Sequence, residues 1–157
     1  METITNKTYA ELSVGDSAER KHLVTEQELQ LFAVVSGDRN PLHLDEEFAA
    51  QTPFKGRIAH GMLSGALISA SLAMQIPGPG TVYLGQDLSF KRPVHLGDEL
   101  TIKLTVKEKK DRKNIIVLDC VITNQDDKAV VAGNATVMAP EESVTVHLPD
   151  LPEVSIA

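Results

Sequence analysis

Residues 60–76 read HGMLSGALISASLAMQI. No acidic or basic side chain occurs between Gly61 and Ile76. A helix drawn through the stretch is apolar or small on every face, the pattern of a helix buried inside a protein rather than lying on its surface. Its Gly, Ala and Ser residues let other backbone pack closely around it. Pro77-Gly78-Pro79-Gly80 ends it sharply, because proline cannot continue a helix and glycine favours turns. The wider apolar run from Ile58 to Ile76 is broken by His60 and three serines, too short and too polar for a membrane span.

Downstream of this helix the period changes from helix to strand. Thr81 to Pro93 carries Val82, Leu84, Leu88 and Phe90. Leu100, Ile102, Leu104 and Val106 then alternate with Thr101, Lys103, Thr105 and Lys107, which marks a strand with one wet face. Ile116, Leu118, Cys120 and Ile122 alternate again; Gln125-Asp126-Asp127-Lys128 suits a hairpin turn, and Ala129 to Ala139 returns as the last long strand. Upstream, Ser17 to Val24 reads as a short, charge-rich strand. Thr25 and Glu28 form a capping box that opens a helix with Leu29, Phe32, Ala33 and Ser36 on one face and Gly37 at its end. Asp38 to Leu44 (DRNPLHL) reads as a loop, since Pro41 biases Asn40 away from the helical region. Asp45 caps a short helix with Glu46 and Glu47 in its first turn, stopped at Pro53. Helices followed by hairpin-linked strands predict a single α+β domain over residues 1–140, an antiparallel sheet wrapped around the long buried helix, which is the hot-dog arrangement. Residues 141–157, acidic and punctuated by proline, read as a tail or linker.

Composition narrows the function classes. The 157 residues carry a net charge of −7, which argues against nucleic-acid binding, since phosphate backbones are held by clustered Lys and Arg. The basic residues do crowd one stretch, Lys103, Lys107, Lys109, Lys110, Arg112 and Lys113. This is a solvated strand end and turn or, on a sharper reading, a landing site for a nucleotide phosphate. The single cysteine, Cys120, sits in an apolar run and reads as core, and no disulfide can form within the chain, as suits a reducing cytoplasm. The start METITNKTYAEL lacks the basic and apolar regions of a signal peptide. These features predict a cytoplasmic protein without membrane partners.

Asp38 and His43 lie five residues apart in one proline-containing segment. A carboxylate and an imidazole beside one water can take a proton from it and return a proton to carbon, the requirement for adding water to a polarised double bond. By themselves the two residues are weak evidence, since Asp is common in turns. The surrounding string is more specific. SGDRNPLHLD (Ser36–Asp45), followed fifteen residues after Asp45 by HGM (His60–Met62), resembles the hydratase-2 motif of MaoC-like (R)-specific enoyl-CoA hydratases. YLGQDLSFKRPV (Tyr83–Val94) and GDEL (Gly97–Leu100) resemble that family's later strands, and the likeness runs from about Tyr9 to Pro140.

The resemblance implies reversible hydration of trans-2-enoyl-CoA to (R)-3-hydroxyacyl-CoA, with Asp38 and His43 as the catalytic pair and the Gly61 N–H holding the thioester oxygen. A helix N-terminus presents free N–H groups and a positive dipole end to such an oxygen, and Gly there permits close approach. Ser69 falls where family members carry a serine that supports the site; equally, it reads as a helix serine bonded to its own backbone. His60 is expected to anchor the helix start by hydrogen bonding, and Asn40 to shape the loop. The set His43, Asp45 and His60 lacks zinc-ligand spacing, so no metal is expected, and no cofactor beyond the coenzyme A of the substrate. Asp87 reads as structural. The family also implies a homodimer, and the proline-rich tail suggests a domain joined to, or working beside, another acyl-CoA enzyme. The rival readings are a hot-dog thioesterase, disfavoured because residues 60–76 contain no acid, and a non-catalytic acyl-CoA binding module, disfavoured by the intact Asp38 and His43. Acyl chain length stays open; Ala66, Ala70 and Ala73 leave room, and the reading leans toward short chains.

Overall fold

The computed structural model describes residues 1–157. Its elements run β1 (Thr3–Thr5), β2 (Ser17–Leu23), α1 (Glu26–Ser36), α2 (Pro41–Leu44), α3 (Glu46–Ala50), α4 (Gly61–Met74), β3 (Val82–Gln86), β4 (Ser89–Phe90), β5 (Glu99–Lys110), β6 (Ile115–Thr123), β7 (Ala129–Met138) and β8 (Thr145–His147). The period-2 pattern that predicts the sheet is realised in β5, where Leu100, Ile102, Leu104 and Val106 are all buried and pair across to β6. The main sheet is antiparallel throughout in the order β2-β5-β6-β7-β3, with β4 also on β7. Leu63, Leu67, Ile68 and Leu72 of α4 join the inward residues of β5, β6 and β7 in one core, so the sheet wraps the helix as expected.

Cys120 belongs to that core, where burial pushes its thiol up to about 11 and keeps it protonated.

The α1 capping box forms as read: Thr25 Oγ1 accepts from the Glu28 N–H at 3.3 Å, and Glu28 Oε2 accepts from the Thr25 N–H at 2.8 Å. Gly37 closes α1 at φ 77°, a left-handed position that suits glycine. Two of the polar side chains that obscure β2 in the sequence turn inward, while Glu19 and Lys21 stay exposed. Arg20 donates to Ser71 Oγ at 2.9 Å and the Leu67 carbonyl at 3.1 Å, both on α4, and His22 meets Glu28 of α1 at 2.5 Å.

Four expectations are corrected. Residues 41–44 are not loop but the single-turn α2, with Pro41 at its first position and Asn40 capping it. The strand read through Thr81–Pro93 is split at Asp87–Leu88, because Asp87 turns to bond the β7 backbone at Asn134. The helix α4 is not covered all round: Met62 and Met74 are 58% and 43% exposed, since the sheet wraps one side only. Finally, the stretch 141–157 is tied to the domain, with β8 pairing β1 and Val144 and Glu142 bonding Asn6.

Candidate active site

The segment between α1 and α4 sets the site. Once Gly37 has turned the chain, Asp38 Oδ1 accepts the Asn40 N–H at 3.1 Å, a turn that a short carboxylate makes with its own backbone. Asn40 in turn accepts from the Leu42 N–H at 3.1 Å and caps α2, so it shapes the segment as expected. Helix α2 then carries His43 inward, its side chain 9% exposed against 49% for Asp38. His43 Nδ1–H donates to the Ile58 carbonyl at 2.7 Å. A carbonyl only accepts, so this bond fixes the proton on Nδ1 and leaves Nε2 of the neutral ring open.

Nε2 of His43 and Oδ2 of Asp38 face each other at 3.7 Å. That is too long for a direct hydrogen bond and suits two groups that share one water. The structure thus brings together the two residues singled out as the reacting pair.

Gly61 is the first residue of α4, and its N–H has no acceptor within the chain, as is general for the first turn of a helix. A Cβ built on Gly61 would stand 3.1 Å from the Phe90 ring, so the glycine keeps the helix start open beneath that ring. Gly61 and His43 line one cavity of about 340 Å³, together with Ser64, Phe90, Lys91 and Arg92. Lys91, Arg92 and Ser64 were not singled out in the sequence. The string FKRP places the two cations just after a short strand, and only the pairing of β4 with β7 shows that this strand end borders the cavity.

The basic stretch Lys103–Lys113 contributes nothing to that cavity. Lys109 donates to the carbonyls of Tyr9 and Leu12 at 2.8 and 2.5 Å, and Lys107 to Asn134 at 3.2 Å.

The Ser69 hydroxyl makes no hydrogen bond within the chain. It lines a separate apolar cavity with Phe32, Met62, Gly65, Ala66 and Leu88, and the serine bonded to its own backbone is Ser71, to the Leu67 carbonyl at 3.0 Å. Ala70 and Ala73 do not line that cavity. His60 is the N-cap residue of α4; its ring bonds not its own helix but the Asp38 carbonyl, at 3.2 Å, which ties the helix start to that segment. Burial, with His43 adding to it, holds the His60 ring below its ordinary value even though the Asp38 bond pulls the other way.

Asp45 is spent as the cap of α3, accepting from the Phe48 N–H at 3.0 Å. The group able to offer three ligand atoms is instead Asp38, His43 and His60, all within 4.8 Å of one another. The two imidazoles lie stacked, 3.9 Å apart and 26° from parallel.

A sequence profile of the MaoC-like domain matches residues 10–126. The chain belongs to the MaoC-like domain family. Within this MaoC-like family it is similar to the (R)-specific enoyl-CoA hydratase of Aeromonas caviae, 44% identical over 129 residues covering 82% of this chain and 96% of that one. It is also similar to the (R)-specific enoyl-CoA hydratase of Rhodospirillum rubrum, 42% identical over 132 residues covering 84% and 91%. Among solved structures, the R-hydratase PhaJ1 from Pseudomonas aeruginosa, in the unliganded form, superposes with a TM-score of 0.96 at 56% identity, covering 99% of this chain and 100% of that one. That superposition takes in the C-terminal segment of this chain as well.

Proposed function

We propose that this MaoC-like protein is an (R)-specific enoyl-CoA hydratase, a hydro-lyase that reversibly adds water to trans-2-enoyl-CoA to give (R)-3-hydroxyacyl-CoA. The observation that carries this is the open 3.7 Å gap between Asp38 Oδ2 and His43 Nε2 beside an unpaired helix N-terminus at Gly61. The likeness to relatives named for that activity supports it.

In this reading a water sits between the two side chains. The Gly61 N–H and the helix dipole draw charge onto the thioester oxygen, which acidifies nothing itself but makes C3 electrophilic and stabilises the enolate formed on attack. The pair takes one proton from the water as its oxygen bonds C3, and returns one proton to C2 from the same side. Two titratable groups this close act as a unit, so the shared proton belongs to the pair. Coenzyme A enters as part of the substrate, and Lys91 and Arg92 at the cavity are the cations best placed for its phosphates. The apolar cavity beside Phe32, Met62 and Leu88 is assigned to the acyl chain, and the small Ala66 in its wall sets part of its depth.

A homodimer is part of the proposal. Strand β3 ends the sheet with an unpaired edge on which Leu84 is 51% exposed, and Met62 of α4 is uncovered as well. An exposed apolar edge of this kind is ordinarily covered. A cytoplasmic location is also proposed, with no helix long and apolar enough to cross a membrane.

The test follows the loss of conjugated enoyl-thioester absorbance with crotonyl-CoA and longer enoyl-CoAs, with product chirality read by an (R)-selective dehydrogenase. The wild type is expected to form the (R) product, and Asp38→Asn and His43→Gln each to lower kcat by about 10³-fold or more. Release of free thiol from acyl-CoAs without hydration would identify a thioesterase instead, and binding without either reaction a non-catalytic module.

A further inference from the structure

His60 touches every part of the site, although its side chain has no place in the proton transfers. It is 3% exposed. Its Nε2–H donates to the Asp38 carbonyl at 3.2 Å, its ring stacks on His43 at 3.9 Å, and its own carbonyl carbon is bonded to the Gly61 nitrogen. On the side of α1, Phe32 packs against it with ring centroids 5.0 Å apart.

We propose that His60 is a positioning residue that holds the Asp38 segment, the His43 ring and the Gly61 N–H in one rigid arrangement. This rests on the reading of Asp38 and His43 as the reacting pair.

The cost the chain bears at this position points to the nitrogen rather than to the ring alone. His60 Nδ1 is buried with no hydrogen-bond partner. Buried polar atoms are nearly always satisfied, and a phenylalanine would fill similar space with no orphan atom. What phenylalanine lacks is the Nε2–H donor to Asp38. That bond spans 22 residues of sequence and is the one side-chain link between α4 and the Asp38 backbone. Asp38 is otherwise half exposed and its other bonds are local, to Ser36 and Asn40, so the His60 bond is the one that ties its backbone to the start of α4. The stacked ring meanwhile limits His43 to swinging within its own plane, while the Ile58 carbonyl fixes that rotation. With the groups facing it being His43, the Asp38 carboxylate and Phe32, a neutral His60 also avoids placing a second positive ring against His43 when the latter holds a proton.

The experiment compares His60→Phe, which keeps an aromatic ring and removes the donor, with His60→Gln, whose side-chain amide places an N–H near the original Nε2. Asp38→Asn and His43→Gln serve as controls, and each variant is checked by circular dichroism and thermal unfolding. His60→Phe is expected to lower kcat for enoyl-CoA hydration about 100-fold, the scale of a misplacement of about 1 Å, with KM within threefold. His60→Gln is expected to recover most of that loss. Wild-type kcat in folded His60→Phe, an effect on KM alone, or equal impairment of kcat in both variants overturns the inference. Should His60→Phe fail to fold, the folded His60→Gln decides: kcat within tenfold of wild type supports the donor role, and a 100-fold loss overturns it. Full activity in the two controls would instead sink the reading of the pair, which separates the two failures.

Discussion

At the scale of single residues, the site is a set of hydrogen bonds whose donors are dictated by their partners. Ile58 and Asp38 each present a carbonyl, so the proton sits on Nδ1 in His43 and on Nε2 in His60, and the open nitrogen of His43 is the one that faces Asp38. The lowered affinity of His60 for protons has a consequence for stability. In the unfolded chain the ring takes a proton near 6.5, whereas in the folded protein burial delays this to lower pH. Between those two values the unfolded state binds more protons, so stability rises with pH there. This contribution is complete above about pH 6.5 and is lost as pH falls through the window below it. Denaturant unfolding of wild type and His60→Gln between about pH 7.5 and about pH 5.5, one pH unit either side of the ordinary His value, is expected to show the steeper acid loss in wild type. Parallel curves would mean that His60 titrates as it does in the unfolded chain. Asp38, Asn40 and His43 were legible in the sequence because their motif is contiguous. His60 was legible as a residue but not in its role, because its partner lies 22 residues away.

At the scale of elements, the long alternating strands and the capped helix α1 were legible because each is specified by its own local pattern. The break between β3 and β4 was not. It depends on Gly133 of β7, where a Cβ would stand only 1.9 Å from the Asp87 carbonyl oxygen. The absence of a side chain lets the Asp87 turn press against β7 and bond Asn134, whose backbone carbonyl accepts from the Asp87 N–H at 3.0 Å. Gly133→Ala is therefore expected to destabilise the protein by about 2–3 kcal/mol, the scale of overpacking in a site that cannot relax, read from the denaturant midpoint. Because β4 carries Phe90 against Gly61, the same variant is also expected to raise KM for enoyl-CoA; an unchanged midpoint would show that the turn is loose. Helix α2 was missed for a different reason. Its four residues are too few for any periodicity, and proline, which argues against helix in general, is favourable at a first helical position.

At the scale of the whole molecule, the two chain ends meet. Thr5 and Thr145 share a hydrogen bond at 2.7 Å, Asn6 holds Glu142 and Val144, and Gln27 of α1 donates to the Val154 carbonyl at 3.1 Å. Removing residues 141–157 is expected to cost about 2 kcal/mol, a few such bonds, and to lower Tm by about 4–8 °C; an unchanged Tm would mark the segment as a linker. The exposed edge of β3 predicts a particle of twice the 17.0 kDa chain mass by sedimentation, and Leu84→Lys is expected to shift it toward a single chain. The sequence by itself determined the antiparallel sheet, the apolar helix it wraps and the short segment that keeps Asp38 and His43 close together, since each rests on spacing within a few neighbouring residues. Only the tertiary structure decided which face of α4 stays uncovered, which cations border the cavity and what holds the pair in place. Those outcomes are contacts between distant segments, and the energy of such a contact depends on where folding puts both partners, which no local pattern encodes.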